Sequence, residues 1–184
     1  MSEAKGAVLR ALAAAYLRRD EVAFVSVRGE RSEILLPPTA SMARARAVLE
    51  RLPIGGGTPL ASGLVCAAKL ARSERLRSGR EPAVAIFTDG RANVALGPSL
   101  GAGAETRRHA VRTELLAVAA LFAVERIPTT LVDVSSAPGA DRFVAEFAAQ
   151  LGAERRLLRT RDSKTDRLDA RENPSPVGSR ISDA

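Results

Sequence analysis

Apolar residues along the chain recur with two different periods, and the switches between them mark the elements. Ala4, Ala7, Val8, Ala11, Leu12 and Ala15 repeat at helical spacing, which predicts a first helix with one apolar face. Residues 21–27 (EVAFVSV) form a short run rich in Val with one Phe, which reads as a buried strand. Arg28-Gly29-Glu30 is a turn, and residues 32–36 (SEILL) are a second strand, antiparallel to the first by hairpin logic. Pro37 and Pro38 are expected to stop that strand, because neither can donate to a ladder. Ser41 suits the N-cap of a helix over 42–52, with Ala43, Ala47, Val48 and Arg51 in its pattern.

The second half alternates strand and helix more regularly. A helix is expected from Pro59 to about Arg72. Residues 82–88 (PAVAIFT) are nearly all apolar, the pattern of a central parallel strand buried on both faces. Val111, Leu115, Val118, Ala119 and Phe122 predict a helix over 105–126, followed by a buried strand at 129–134 (TTLVDV). A helix over 141–151 stops at Gly152, and a short strand follows at 155–158. Beyond that the periodicity is lost, so residues 1–159 read as one domain and residues 160–184 as a disordered polar tail. This alternation predicts an α/β, doubly wound, mostly parallel sheet with one antiparallel edge hairpin.

Composition narrows the partners. The 184 residues are 46% hydrophobic but only 3% aromatic, so the core must be built from Ala, Val, Leu and Ile. The formal charge of +7 raises nucleic acid as a partner. However, the Arg residues are spread over helix faces among 21 acidic residues, and no basic run is interleaved with aromatics, so a nucleic-acid role is not favoured. Cys66 is the sole cysteine and sits in an apolar helix pattern, which reads as a buried inert thiol in a reducing, cytoplasmic setting. His109 is the sole histidine and reads as a solvated helix residue. No stretch approaches the ~18 apolar residues of a membrane span, and the first residues lack the pattern of a signal peptide.

In a doubly wound sheet, ligands sit beyond the C-terminal ends of the parallel strands. Two loops fall on that rim. Gly55, Gly56 and Gly57 let the backbone approach another group closely, and Thr58 before Pro59 suits a helix N-cap. A capped helix after a flexible loop also explains this segment. The Lys-Ser/Thr ending of a phosphate-binding loop is missing. Asp89 follows the buried 82–88 run, with Gly90 permitting a sharp turn. A turn-forming Asp also explains that pair taken alone. Together, a rim hydroxyl and a rim carboxylate are hard oxygen donors suited to Mg²⁺. No Ser/His/acid or paired-carboxylate arrangement stands out, so the chain is expected to bind rather than react.

The segments RGERSEILLPPTASMARARAVLERLPIGGGTPLASGL and AVAIFTDGRANVALG resemble the C-terminal integrin I-like (von Willebrand factor A) domain of magnesium chelatase D subunits. The likeness runs over about residues 4–158. It implies a cation-dependent protein-binding domain within the enzyme that drives Mg²⁺ into protoporphyrin IX with ATP, in chlorophyll and bacteriochlorophyll synthesis. It implies as partners the AAA+ motor subunit and the large porphyrin-binding subunit. It implies that Thr58 and Asp89 match the second and third segments of a metal-ion-dependent adhesion site, whose bound cation takes an acidic side chain from a partner. The alternative is a von Willebrand A adhesion domain of another AAA+-associated or cobalt-chelatase-like system.

The sequence departs from that family in one respect. The family's site opens with Asp-x-Ser-x-Ser at the end of a first, central strand, and no such motif stands in the right place here. The sheet is therefore expected to lack its first central strand, between the 21–27 and 82–88 strands. Met1 then reads as an internal methionine of a longer protein, the other possibility being a short relic with a crippled site. Either way, Mg²⁺ binding by these 184 residues is expected to be weak or absent.

Overall fold

A computed structural model describes residues 2–29, 31–52, 57–90, 95, 103–134 and 140–157. The elements are, in order, α1 (Ser2–Leu17), β1 (Val22–Arg28), β2 (Arg31–Thr39), α2 (Met42–Arg51), α3 (Leu60–Ser78), β3 (Val84–Thr88), α4 (Ala104–Val124), β4 (Thr129–Asp133), α5 (Ala140–Leu151) and β5 (Glu154–Leu157). The α/β alternation matches the sequence expectation. The expected polar tail at 160–184 lies outside the described residues.

Ladder pairing divides the described strands into an antiparallel β1–β2 hairpin and a parallel sheet of order β3-β4-β5. In the hairpin, pairing runs from Arg28 opposite Arg31 to Val22 opposite Thr39. Pro37 and Pro38 do not stop β2, contrary to expectation. Among the described residues β2 has β1 as its only ladder partner, so a missing N–H on its outer side breaks no bond. The register also slips between Phe24 and Val22, giving the prolines slack. In the parallel sheet β3 lies at an edge, with Ile86 and Thr88 buried but Ala85 exposed, so it is not covered on both faces as its apolar run suggested.

Among the described residues, two hydrophobic clusters hold these sheets. The hairpin packs against α1 and α2 through Leu12, Leu36, Ala45 and Leu49. Ala11, Ala43 and Ala47, expected on the inner faces, are exposed instead. Alanine carries too little surface to announce a face, and the larger Leu12 and Leu49 decide which way each helix turns. The second cluster joins Leu60, Leu64 and Ala68 of α3 to Ile86, Leu131, Leu115, Phe122 and Phe147 from the parallel sheet, α4 and α5. Helix α3 also crosses to the hairpin. A Cβ at Gly63 would collide with the Val27 side chain of β1, so glycine there lets helix and strand touch.

Helix ends are set locally. Ser41 caps α2, its Oγ accepting from the Arg44 N–H at 3.4 Å. Helix α3 runs past the expected residue 72 and stops at Gly79, φ 67°. Gly152 ends α5 with φ 62°, and the Ala153 N–H donates to the Ala148 carbonyl at 2.9 Å. Cys66 is half-buried rather than fully buried. His109 is exposed, as expected. Among the described residues, no helix is long and apolar enough to cross a membrane.

Candidate functional site

The rim is built from the ends of two strands and the start of one helix. Helix α3 leads into β3 through residues 79–83, and both contribute to one core. Thr58 precedes α3 and Asp89 follows β3.

The Thr58 segment is anchored to the hairpin. The Gly29 N–H donates to the Gly57 carbonyl at 2.9 Å, joining the β1–β2 turn to the loop. Nearby, the hydroxyls of Ser32 and Ser62 lie 2.9 Å apart, linking the start of β2 to the first turn of α3. Thr58 is half-buried, and its carbonyl accepts from the Leu60 N–H at 2.9 Å. The N-cap position of α3 falls on Pro59 rather than on Thr58, because Pro59 (φ −77°, ψ 66°) stands outside the helix and the first helical residue is Leu60. Gly55 and Gly56, expected to support the loop, lie outside the described residues.

The Asp89 segment is anchored to the parallel sheet. Thr88 closes β3 opposite Asp133, the last residue of β4. The Val134 N–H donates to the Thr88 carbonyl at 2.9 Å, extending the ladder by one bond. The Gly90 N–H donates to the Thr88 hydroxyl at 3.1 Å. Gly90 has φ 78°, a left-handed conformation that a side chain would strain, so the sharp turn expected after Asp89 is present. Asp89 itself is half-buried.

Two rim residues escaped the sequence reading. Among the described residues, the buried polar or charged ones are Thr88 (6% exposed) and Asp133 (2%), and they face each other across the β3–β4 ladder. Arg155 of β5 reaches Asp133 with Nη2 to Oδ2 at 2.6 Å, while the Arg155 Nε is buried without an acceptor. The available signal was a polar residue ending each apolar strand run, which strand patterning treats as a boundary.

Chemically, the hydroxyl of Thr58 and the carboxylate of Asp89 are both hard oxygen donors of the kind Mg²⁺ prefers. Among the described residues no group of three or more His, Cys, Asp or Glu side chains is placed to hold a metal ion. One Thr hydroxyl and one carboxylate are a donor set of the kind Mg²⁺ accepts while keeping several waters.

Residues 1–91 match the von Willebrand factor type A domain family. The chain is 41% identical over 138 residues to the magnesium-chelatase 60 kDa subunit of Cereibacter sphaeroides, covering 75% of this chain and 24% of that protein. It is 37% identical over 134 residues to the magnesium-chelatase 67 kDa subunit of Chlorobaculum tepidum, covering 72% of this chain and 22% of the relative. The chain thus spans about a quarter of the length of these curated relatives. Among solved structures it is similar to the SpRpn10 VWA domain, with a TM-score of 0.52 and 10% identity over 95% of this chain and 85% of the other.

Proposed function

We infer, for a chain that belongs to the von Willebrand factor type A domains, that it serves as the cation-dependent protein-binding domain of a magnesium-chelatase D-type subunit. The observation that carries this reading is the 41% identity over 138 residues with a chelatase subunit. Fold likeness alone persists at 10% identity, so it says little about role.

In this reading Thr58 and Asp89 hold Mg²⁺, with Gly57 and Gly90, and Gly55 and Gly56 before them, shaping the two loops. A bound Mg²⁺ would supply an open coordination position for a carboxylate of a partner protein. Thr58 contributes a neutral oxygen and Asp89 a charge, which leaves the ion enough residual charge to attract that carboxylate. The partners are the AAA+ motor subunit and the porphyrin-binding large subunit. The domain scaffolds their ATP-driven insertion of magnesium into protoporphyrin IX in the cytoplasm, without itself carrying out the chemistry.

The test is capture of the two partner subunits by this chain in Mg²⁺ or in EDTA. Capture is expected in Mg²⁺, with at least a tenfold loss in EDTA and in Asp89→Ala. Equal capture in all three conditions would sink the cation-dependent reading. Direct calorimetry should find Mg²⁺ binding weak, and tight stoichiometric binding abolished by Asp89→Ala would show that these residues alone complete the site.

A further inference from the structure

Thr88 is an unusual residue at its position. The preceding strand residues are Val84, Ala85, Ile86 and Phe87, and a Val or Ile would extend that run at lower cost. Burying a hydroxyl is unfavourable unless it is hydrogen-bonded. Thr88 is nevertheless only 6% exposed, and its hydroxyl accepts from the Gly90 N–H at 3.1 Å. Its backbone is fixed independently, since the Thr88 carbonyl accepts from the Val134 N–H at 2.9 Å. Opposite it on β4 stands Asp133, buried and tied to Arg155 at 2.6 Å. Buried polar groups that add nothing to packing concentrate where a structure must hold a functional geometry.

We propose that Thr88 is a positioning residue for Asp89. Its carbonyl fixes where the strand ends, and its hydroxyl fixes the residue two positions later. Asp89 lies between these two anchor points. With the Gly90 N–H held and the left-handed φ of 78° at Gly90 set, the backbone on both sides of Asp89 is fixed, and with it the point from which the Asp89 side chain projects. Without the hydroxyl the Gly90 N–H loses this acceptor, the turn gains alternatives and the point from which Asp89 projects is less fixed. The Asp133–Arg155 pair keeps the neighbouring strand end from shifting. The functional weight of this arrangement rests on the reading of Asp89 as a cation ligand, although the positioning is measurable without a cation.

The experiment compares the wild-type chain with Thr88→Val, which keeps shape and removes the hydroxyl, and Thr88→Ser, which keeps the hydroxyl. Amide hydrogen exchange is read at Gly90 and Val134, side-chain couplings report Asp89 rotamer averaging, and added Mn²⁺ reports cation approach by paramagnetic broadening at Asp89. Thr88→Val is expected to speed Gly90 exchange at least tenfold, leave Val134 protected, average the Asp89 rotamer and weaken the Mn²⁺ effect at least threefold. Thr88→Ser is expected to behave as wild type. Wild-type Gly90 exchange and Asp89 couplings in Thr88→Val would overturn the proposal, as would equal losses in Val and Ser. If wild type shows no Mn²⁺ broadening at Asp89, the cation reading fails, and the exchange and coupling data still decide the role of Thr88. Should Thr88→Val not fold, Thr88→Ala provides the same readouts.

Discussion

The hairpin of β1 and β2 rests on a cluster of four buried residues, while α3, α4, α5 and the parallel sheet share one of eighteen, counted among the described residues. The two expected ligands divide between these regions. Thr58 is held through Gly57 by the turn of the hairpin, and Asp89 is held through Thr88 by the parallel sheet. In the proposed site, one ligand loop therefore rests on the larger core and the other on the smaller. Local stability follows buried apolar contact, so the Thr58 wall should open at lower free energy than the Asp89 wall. A site built this way would adjust on one side while keeping its charged residue in place.

The sharpest way to break that comparison is to cut one large side chain from each region. Phe122 is 1% exposed in the larger cluster, and Phe122→Ala should cost ~3–5 kcal/mol and abolish the cooperative melt. Leu49 is 3% exposed in the smaller cluster. Leu49→Ala should cost ~2–3 kcal/mol, with exchange protection lost in β1 and β2 but kept in β3 and β4. If both variants lose protection everywhere at once, the two regions are one cooperative unit and the uneven rim is wrong.

A second prediction concerns the firm wall. Arg155→Met removes the Arg155 guanidinium from the buried Asp133. The ~3–5 kcal/mol typical of a broken buried pair is discounted to about 2–3 because the Arg155 side chain keeps 25% exposure. Combining Asp133→Leu with Arg155→Met should recover stability to within ~1 kcal/mol of wild type in denaturant unfolding. A double variant no better than the single would mean that Asp133 has a structural role beyond the pair.

The seam between the regions comes next. Gly63→Ala drives a Cβ into the Val27 side chain and should cost ~1–3 kcal/mol, falling mainly on the hairpin. Adding Val27→Ala should restore part of the loss, a coupling that additivity forbids for residues out of contact. Simple addition of the two effects would show that α3 does not lean on β1 here.

The same division explains what the sequence disclosed. The parallel region was readable because Leu115, Phe122 and Leu131 are large and sit at clear periods. Gly79 and Gly152 announce their helix ends because glycine is the residue that takes positive φ cheaply. Arg19 and Arg126 adopt φ 59° and 50° at the ends of α1 and α4, and no local signal marks an arginine for that conformation. The hairpin region was read less well because its helices are written mainly in Ala and Arg, so Ala43 and Ala47 seemed as inward as Ala45. At the rim, Asp89 and Gly90 were legible as a turn at a strand end. Thr88 and Asp133 were not, because a buried hydrogen bond and an ion pair between strands depend on cross-strand register.

The smallest expected effect tests the link from the soft wall to the rim. Ser32 and Ser62 share one hydrogen bond of 2.9 Å in a half-buried position, where water can take over part of its role. Such a bond contributes ~0.5–1.5 kcal/mol, and partial exposure places Ser32→Ala and Ser62→Ala near the lower end. If the bond joins β2 to α3 specifically, the double variant should cost about as much as either single one, because removing both partners leaves no orphaned hydroxyl. The loss should show as faster exchange at Gly29, whose N–H holds the Gly57 carbonyl, with Gly90 unaffected. Faster exchange at Gly90 as well would mean that strain passes through α3 from one wall to the other, and the two ligand loops would then respond together. Unchanged exchange at Gly29 would confine the serine pair to local packing and leave the backbone bond alone in holding the Thr58 loop.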